Sequence, residues 1–180
     1  MQNQIKNYYV LTGGPGTGKT TLLNHLSEYG FHCIPEVARQ IIKDQVLNRG
    51  SALPWANKAE YARLMWEESL KEYERSILNE KGFVFFDRGL LDSICYMEME
   101  NLPMTIAQFE ILKKPLYHKI FILPPWEEIY VTDSERKQTW EEAQYTFDYM
   151  RKLYLKYGYE VIEIPKMDIE LRVKFILENL

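Results

Sequence analysis

The chain is poor in the residues that would mark several function classes. Its 180 residues hold two cysteines, Cys33 and Cys95, with no C-x-x-C spacing. That excludes a disulfide scaffold, and both read as core or free thiols of a reducing compartment. The three histidines, His25, His32 and His118, lie in or beside apolar segments without ligand spacing. They read as structural, so no metal site beyond Mg²⁺ is expected. No run of 18 apolar residues occurs, so no membrane span is expected. Met1 to Asn7 is polar, so no signal peptide is expected and the expected location is the cytoplasm. Basic charge is not in excess: the formal net charge is −4. No overall field draws nucleic acid to such a chain, and any anion binding must be local. There are no repeats, linkers or low-complexity segments, and nothing fixes an oligomeric state. Hydrophobic residues at 46% and charged residues at 27% are globular values. Residues 1–180 are expected to form one domain with its own core.

What is present centres on Leu11-Thr12-Gly13-Gly14-Pro15-Gly16-Thr17-Gly18-Lys19-Thr20. Gly13, Gly18, Lys19 and Thr20 fit the phosphate-loop pattern G-x-x-x-x-G-K-[ST]. Glycines allow backbone turns that a Cβ would block, and such a turn aims successive N–H groups into one anion-binding nest. The following helix adds its positive N-terminal end. Gly13, Gly14, Pro15, Gly16, Thr17, Gly18, Lys19, Thr20 and Thr21 are therefore the expected nucleotide contacts. Lys19 is expected on the β- and γ-phosphates and the Thr20 hydroxyl on Mg²⁺. The context agrees: Tyr8 to Leu11 reads as a buried strand, and Leu22, Leu23 and Leu26 give helical spacing. A dinucleotide-binding reading fails, because Lys19 stands where G-x-G-x-x-G requires its third glycine.

Further along, Phe31 to Ile34 predicts a second strand, and Glu36 opens a second helix with Val37, Ala38 and Ile41 inward. A long helix is predicted from Trp55, Ala59, Ala62, Trp66, Leu70, Tyr73 and Ile77, which recur every three or four residues. Phe83 to Phe86 is a continuous apolar run and so a central strand, with Asp87-Arg88-Gly89 at its end. A helix from Leu90 follows, then a short one from Ile106 capped by Thr105. His118 to Leu123 is the next strand. Residues 126–139 are charged and lack periodicity, which suits a flap. A helix from Trp140 to Tyr157, a last strand at Tyr159 to Ile164 and a closing amphipathic helix complete the chain. Alternating strands and helices predict an α/β fold: a parallel sheet with helices on both faces and ligands beyond the strands' carboxyl ends. The phosphate loop, Glu36 and Asp87-Arg88 all fall at those ends.

With these residues in hand, the chain resembles P-loop kinase-type ATPases. It is most similar to the AAA-domain-like ATPases that group with the ribosylnicotinamide kinase domain. Residues 12–20, Pro35-Glu36-Val37-Ala38-Arg39 and Phe86-Asp87-Arg88-Gly89 carry the likeness, and Asp133 with Arg136 resembles a D-x-x-R lid segment. The resemblance implies a three-layer P-loop NTPase fold, a five-stranded parallel sheet ordered 2-3-1-4-5, and a short lid near 126–139. It also implies ATP or another purine triphosphate with Mg²⁺, and roles for five residues. Lys19 holds phosphate. Asp87 binds Mg²⁺ through water or accepts a proton. Arg88 holds the acceptor or the transferring phosphate, Glu36 is a general base, and Arg136 is a lid arginine. The lid departs from the family in being short, with Arg136 and Lys137 as its only neighbouring cations, and no base-reading motif matches.

Blander readings stand beside these. Asp87 and Arg88 also read as a strand-end ion pair, Glu36 as a helix N-terminal acid, and Arg136 as a solvated loop side chain. Arg39 reads either as a phosphate contact or as the i,i+3 partner of Glu36. Trp55, Tyr61 and Trp66 read either as walls of a ring-binding pocket or as core. Two functions follow. The first is a Mg²⁺-dependent phosphotransferase acting on a small, nucleoside-like hydroxyl acceptor. The second is a nucleotide-binding switch or regulator with a protein or lipid partner. A closed, aromatic-lined cavity between Glu36, Asp87 and the long helix favours the first, and a shallow groove the second.

Overall fold

In β1 (Tyr8–Gly13), Tyr8 and Val10 face one side of the sheet and Tyr9 and Leu11 the other, and all four are buried. Successive strand residues point to opposite faces, so a strand apolar at every position must be covered on both. The computed structural model, which describes residues 7–79, 82–129 and 139–180, shows both covers. One face packs under α1 (Lys19–Glu28) and α7 (Ile169–Glu178), through Leu22, Leu23 and Leu26 of the first and Val173 and Ile176 of the second. The other face packs against α3 (Lys58–Asn79), α4 (Leu90–Met99) and α6 (Trp140–Lys156), which contribute Trp66, Tyr73, Ile94, Met150 and Tyr154. Burial of side chains the size of Leu22 or Leu26 stabilises the fold by about 1.5–3 kcal/mol each.

The sheet has five strands in the order β2-β3-β1-β4-β5, every pair parallel. The remaining strands are β2 (His32–Ile34), β3 (Val84–Asp87), β4 (Lys119–Leu123) and β5 (Val161–Glu163). Helix α2 (Val37–Leu47) follows β2, and α5 (Ile106–Leu112) lies between α4 and β4, its first turn capped by Thr105 accepting from the Gln108 amide. The fold class and strand order are those that the resemblance implies. Because all strands run one way, their carboxyl ends lie along one edge. The segments after β1, β2, β3 and β4 meet there.

The long helix differs from the expected one. It starts at Lys58, behind Asn57, whose side-chain oxygen accepts the Glu60 amide. Trp55 sits ahead of that cap in a turn closed by the Leu53 carbonyl, and is 67% exposed. Ala59 and Ile77 are exposed as well. The buried stripe runs through Tyr61, Ala62, Met65, Trp66, Tyr73 and Ser76. A turn that changes chain direction at Asn57 breaks the phase, so Trp55 does not belong to the helical period. Within the expected flap, Glu127–Ile129 forms a single 3₁₀ turn. Asp133, Arg136 and Lys137 lie outside the described residues.

Candidate active site

The phosphate loop leaves β1 through Gly13 at φ +140°, and Gly16 and Gly18 also have positive φ. Gly13 has a second reason to lack a side chain: a Cβ there would meet the Leu123 carbonyl oxygen at 2.5 Å. The strands β1 and β4 approach so closely at that point that only glycine fits. Gly18 precedes α1 with no side-chain cap, and the first turn holds no acid, so the leading amides are free to bind an anion. The Thr17 hydroxyl donates to the Gly14 carbonyl at 3.0 Å and holds the turn. Lys19 is 7% exposed, and its Nζ donates to the carbonyls of Gly13 at 2.8 Å and Gly14 at 3.0 Å. Burial, helped by nearby Arg88, brings the Lys19 pKa down to about 8. Thr20 and Thr21 are exposed at the head of the helix.

On the β3 side of the loop stand Glu36, Asp87, Arg88 and Asp92. Arg88 occupies the turn from β3 into α4 with φ +71°, a left-handed conformation uncommon for a residue with a side chain. Backbone of that kind collects at functional sites. Its Nε donates to Glu36 Oε1 at 2.7 Å, and its Nη1 lies 3.5 Å from Asp92 Oδ1. Glu36 precedes α2 but makes no cap bond. Its carboxylate goes to Arg88 and to Arg39, the latter at 3.2 Å. Burial pushes Glu36 up, but the charges of Arg88 and Lys19 outweigh it and hold the carboxyl below its usual range. Asp87 is moved the other way, chiefly by burial, and its Oδ1 is buried without a hydrogen-bond partner. An orphaned carboxylate oxygen beside a phosphate loop fits a divalent cation brought with its water, and so do the exposed Thr20 hydroxyl and the hard oxygen donors of this set.

Asp92 is the residue that the sequence reading missed. Its carboxylate accepts from the Thr12 hydroxyl, from the Gly89 amide at 2.7 Å and from the Tyr154 hydroxyl at 2.6 Å. It therefore ties β1, the start of α4 and α6 to one point under Arg88. Its signal was a lone acid inside Leu90-Leu91-Asp92-Ser93-Ile94-Cys95, where a charge needs partners to be buried.

Beyond these groups a cavity of about 290 Å³ opens between α2, α3, α4 and α6. Glu36, Arg88 and Asp92 form its polar end, and Tyr61, Met65, Tyr96, Met99 and Met150 are among its walls. Tyr61 and Tyr96 meet edge to face, with ring centroids 5.4 Å apart. Of the three aromatics considered for a ring-binding wall, Tyr61 lines the cavity, Trp66 belongs to the core and Trp55 belongs to neither. Asp87 is not among the lining residues. On the β4 side, Arg172 of α7 is 4% exposed; its Nη2 donates to the Thr17 carbonyl at 3.2 Å, and the guanidinium lies 5.8 Å from the Trp126 ring centroid.

The AAA-domain family model matches residues 8–172, nearly the whole chain. The chain belongs to the AAA-domain family. No curated protein matches it. Among solved structures, deoxyadenosine kinase from M. mycoides is similar with a TM-score of 0.67 at 16% identity, over 96% of this chain and 97% of that one. NadR protein in complex with NR gives 0.66 at 19% identity, over 97% of this chain and 50% of that one, so the chain spans about half the length of NadR. Shikimate kinase from Aquifex aeolicus gives 0.55 at 18% identity, over 95% and 94%. At these identities the likeness establishes the fold, which is that of P-loop kinases. Within that fold Lys19, Glu36, Asp87 and Arg88 gather at one strand edge, each feeling the others' charge. Arg136 lies outside the described residues.

Proposed function

We propose that this AAA-domain protein is a Mg²⁺-dependent phosphotransferase that moves the γ-phosphoryl group of ATP, or another purine triphosphate, to a hydroxyl of a small acceptor. The observation that carries this reading is the cavity beside the phosphate loop, with an ionised carboxylate, Glu36, and a cation, Arg88, at its loop end. A regulator that only binds nucleotide has no need of a cavity in that position.

The division of labour follows from position. The loop amides and Lys19 hold the β- and γ-phosphates and neutralise charge as it shifts. Thr20 and Asp87 are the groups suited to hold Mg²⁺, which when bound would supply positive charge to the transferring phosphates. Glu36 lines the acceptor chamber and Asp87 does not, so Glu36 receives the proton. In the transfer the acceptor oxygen bonds to the γ-phosphorus, the bond from that phosphorus to the bridging oxygen breaks, the diphosphate leaves, and the hydroxyl proton passes to Glu36. Arg88, fixed by two carboxylates, holds the group in passage, and Arg136 is the lid residue proposed to assist it. The test is ATP consumption with and without a panel of small alcohols, repeated on Glu36→Gln. The variant is expected to lose about 10²–10⁴ in acceptor-dependent turnover while keeping wild-type nucleotide affinity. Loss of nucleotide affinity instead, or ATP consumption that no acceptor stimulates, overturns the proposal.

A further inference from the structure

Arg88 has two carboxylate partners, and they are held differently. Glu36 reaches it at 2.7 Å from just ahead of α2, where its side chain caps nothing. Asp92 stands farther off, at 3.5 Å, but is anchored from three elements. The Thr12 hydroxyl of β1, the Gly89 amide at 2.7 Å and the Tyr154 hydroxyl of α6 at 2.6 Å all donate to it. The main chain around Arg88 is pinned as well. The Arg88 amide donates to the Leu11 carbonyl at 2.9 Å, and the Leu90 amide to the Tyr117 hydroxyl at 3.0 Å. A Cβ on Gly89 would lie 2.8 Å from the Tyr154 hydroxyl oxygen and 2.9 Å from Val10 Cγ2, so the start of α4 has no room to shift. With its backbone and Asp92 both fixed, the guanidinium has only its side-chain torsions with which to choose between partners.

The proposed transfer disturbs this balance. Once the acceptor hydroxyl gives its proton to Glu36, that carboxyl is neutral and its hold on Arg88 weakens. A buried guanidinium that loses its counter-ion is costly. Asp92 takes no part in the proton's path and already faces the guanidinium. We infer that Asp92 is a positioning residue, the standing counter-ion that takes over Arg88 as Glu36 is protonated and so keeps the guanidinium on the transferring phosphoryl group. This rests on the phosphotransferase reading of the same site. The proton moves only from the acceptor oxygen to Glu36, and Arg88 exchanges one hydrogen-bonded carboxylate for the other.

The test is a set of variants of the full chain. Asp92→Asn keeps an oxygen for the Gly89 amide and the Tyr154 hydroxyl and turns an amide to the Thr12 hydroxyl, which can accept as well as donate. What it removes is the charge facing Arg88. Glu36→Gln imitates the protonated carboxyl. Each single variant leaves Arg88 one of the two carboxylates, and the double variant leaves it neither. The double is expected to melt at least about 3 °C below the temperature that adding the two single shifts gives. Arg88→Met added to the double is expected to recover most of that loss, because the stranded cation goes with it. Asp87 and Lys19, whose charges also reach Arg88, stay in place throughout. A double that fails to fold beside a triple that folds is the same result in stronger form. With Mg²⁺, ATP and the panel of small alcohols, Asp92→Asn is expected to lower acceptor-dependent kcat about ten- to a hundredfold while the KM for ATP stays within about twofold. A merely structural aspartate would move the melting temperature and leave kcat of the folded chain alone. Additive single shifts, a double that Arg88→Met does not recover, or an unchanged kcat overturns the inference and leaves the phosphotransferase reading standing. If no alcohol stimulates ATP consumption by the wild-type chain, that reading falls and the role of Asp92 in transfer falls with it.

Discussion

Arginines flank the phosphate loop on both sides, and their surroundings are opposite. On the β3 side Arg88 is enclosed by Glu36 and Asp92, and its guanidinium is held charged by them despite burial. On the β4 side Arg172 is more deeply buried than Arg88, yet no ion pair joins it to a carboxylate among the described residues. It has a loop carbonyl and an indole face, its Nε is unpartnered, and burial lowers its pKa. The compensated arginine lies at the polar end of the cavity. The uncompensated one braces the phosphate loop through the Thr17 carbonyl. Positive charge is left over on one flank and balanced on the other, which suits the proposed division between a phosphate side and an acceptor side.

The largest effect is expected at the residue between the flanks. Lys19→Ala should lower turnover by about 10³-fold or more, since it removes a preorganised cation from the transferring group. A folded variant with unchanged turnover would detach the loop from catalysis. Next comes the compensation itself. Asp92→Ala strands the Thr12 and Tyr154 hydroxyls, the Gly89 amide and part of Arg88. Breaking a buried charged cluster from one side costs about 3–5 kcal/mol, which denaturant unfolding would read directly. A loss under about 1 kcal/mol would mean that the β3 flank is not the tightly compensated cluster described here.

The contrast also marks what the sequence could and could not reveal. Strands and their order of appearance were legible because parallel strands buried on both faces read as unbroken apolar runs, as in Val84-Phe85-Phe86. The loop, Glu36 and Asp87-Arg88 were legible because their positions at strand ends follow once the strands are placed. The ends of α3 were not: a helical period continues through Trp55 on paper, and only the turn at Asn57 stops it. Neither compensation was legible. Asp92 meets Thr12 across 80 residues and Tyr154 across 62, and Arg172 meets Thr17 across 155. Such pairs are made by the crossovers of the sheet, which local patterns do not encode. Arg172 did leave a trace, since it shares the inward stripe of Ile169, Val173 and Ile176 and so sits where an apolar residue is expected. The pairs that line the cavity, such as Tyr61 with Tyr96, bring together helices that look, one at a time, like ordinary amphipathic ones.

Arg172→Met sharpens the comparison by predicting two opposite signs. Replacing a buried cation that lacks a carboxylate with an apolar side chain of similar length should leave stability unchanged or raise it, in contrast to Asp92→Ala. Nucleotide affinity should fall roughly tenfold, the worth of about 1.5 kcal/mol for a charge-assisted bond to the loop. Because the bond is to the Thr17 carbonyl, inorganic tripolyphosphate should weaken as much as ATP does. A variant that loses stability and keeps its affinity would remove the distinction between the flanks.

The smallest effect, and the most direct reading of surplus charge, is the pH dependence of nucleotide binding. Lys19 has a pKa of about 8 in the native chain against its ordinary 10.5. Between those values the unfolded chain holds a proton that the native chain has lost, so this residue makes stability rise with pH from about 8 upward. Phosphate needs the ammonium form, so affinity moves the other way. It should be nearly level below pH 7 and weaken severalfold, to about tenfold at most for one proton, between pH 7 and 9. Calorimetry in buffers of different ionisation enthalpy should show proton uptake on binding near pH 8, and Lys19→Arg, which stays charged, should abolish both trends. Affinity that is flat to pH 9 in the wild-type chain would mean that the ammonium is held by the carbonyls of Gly13 and Gly14 and the nearby acids firmly enough to stay charged. The loop would then gain nothing further from pH, and its surplus of charge would rest on Arg172.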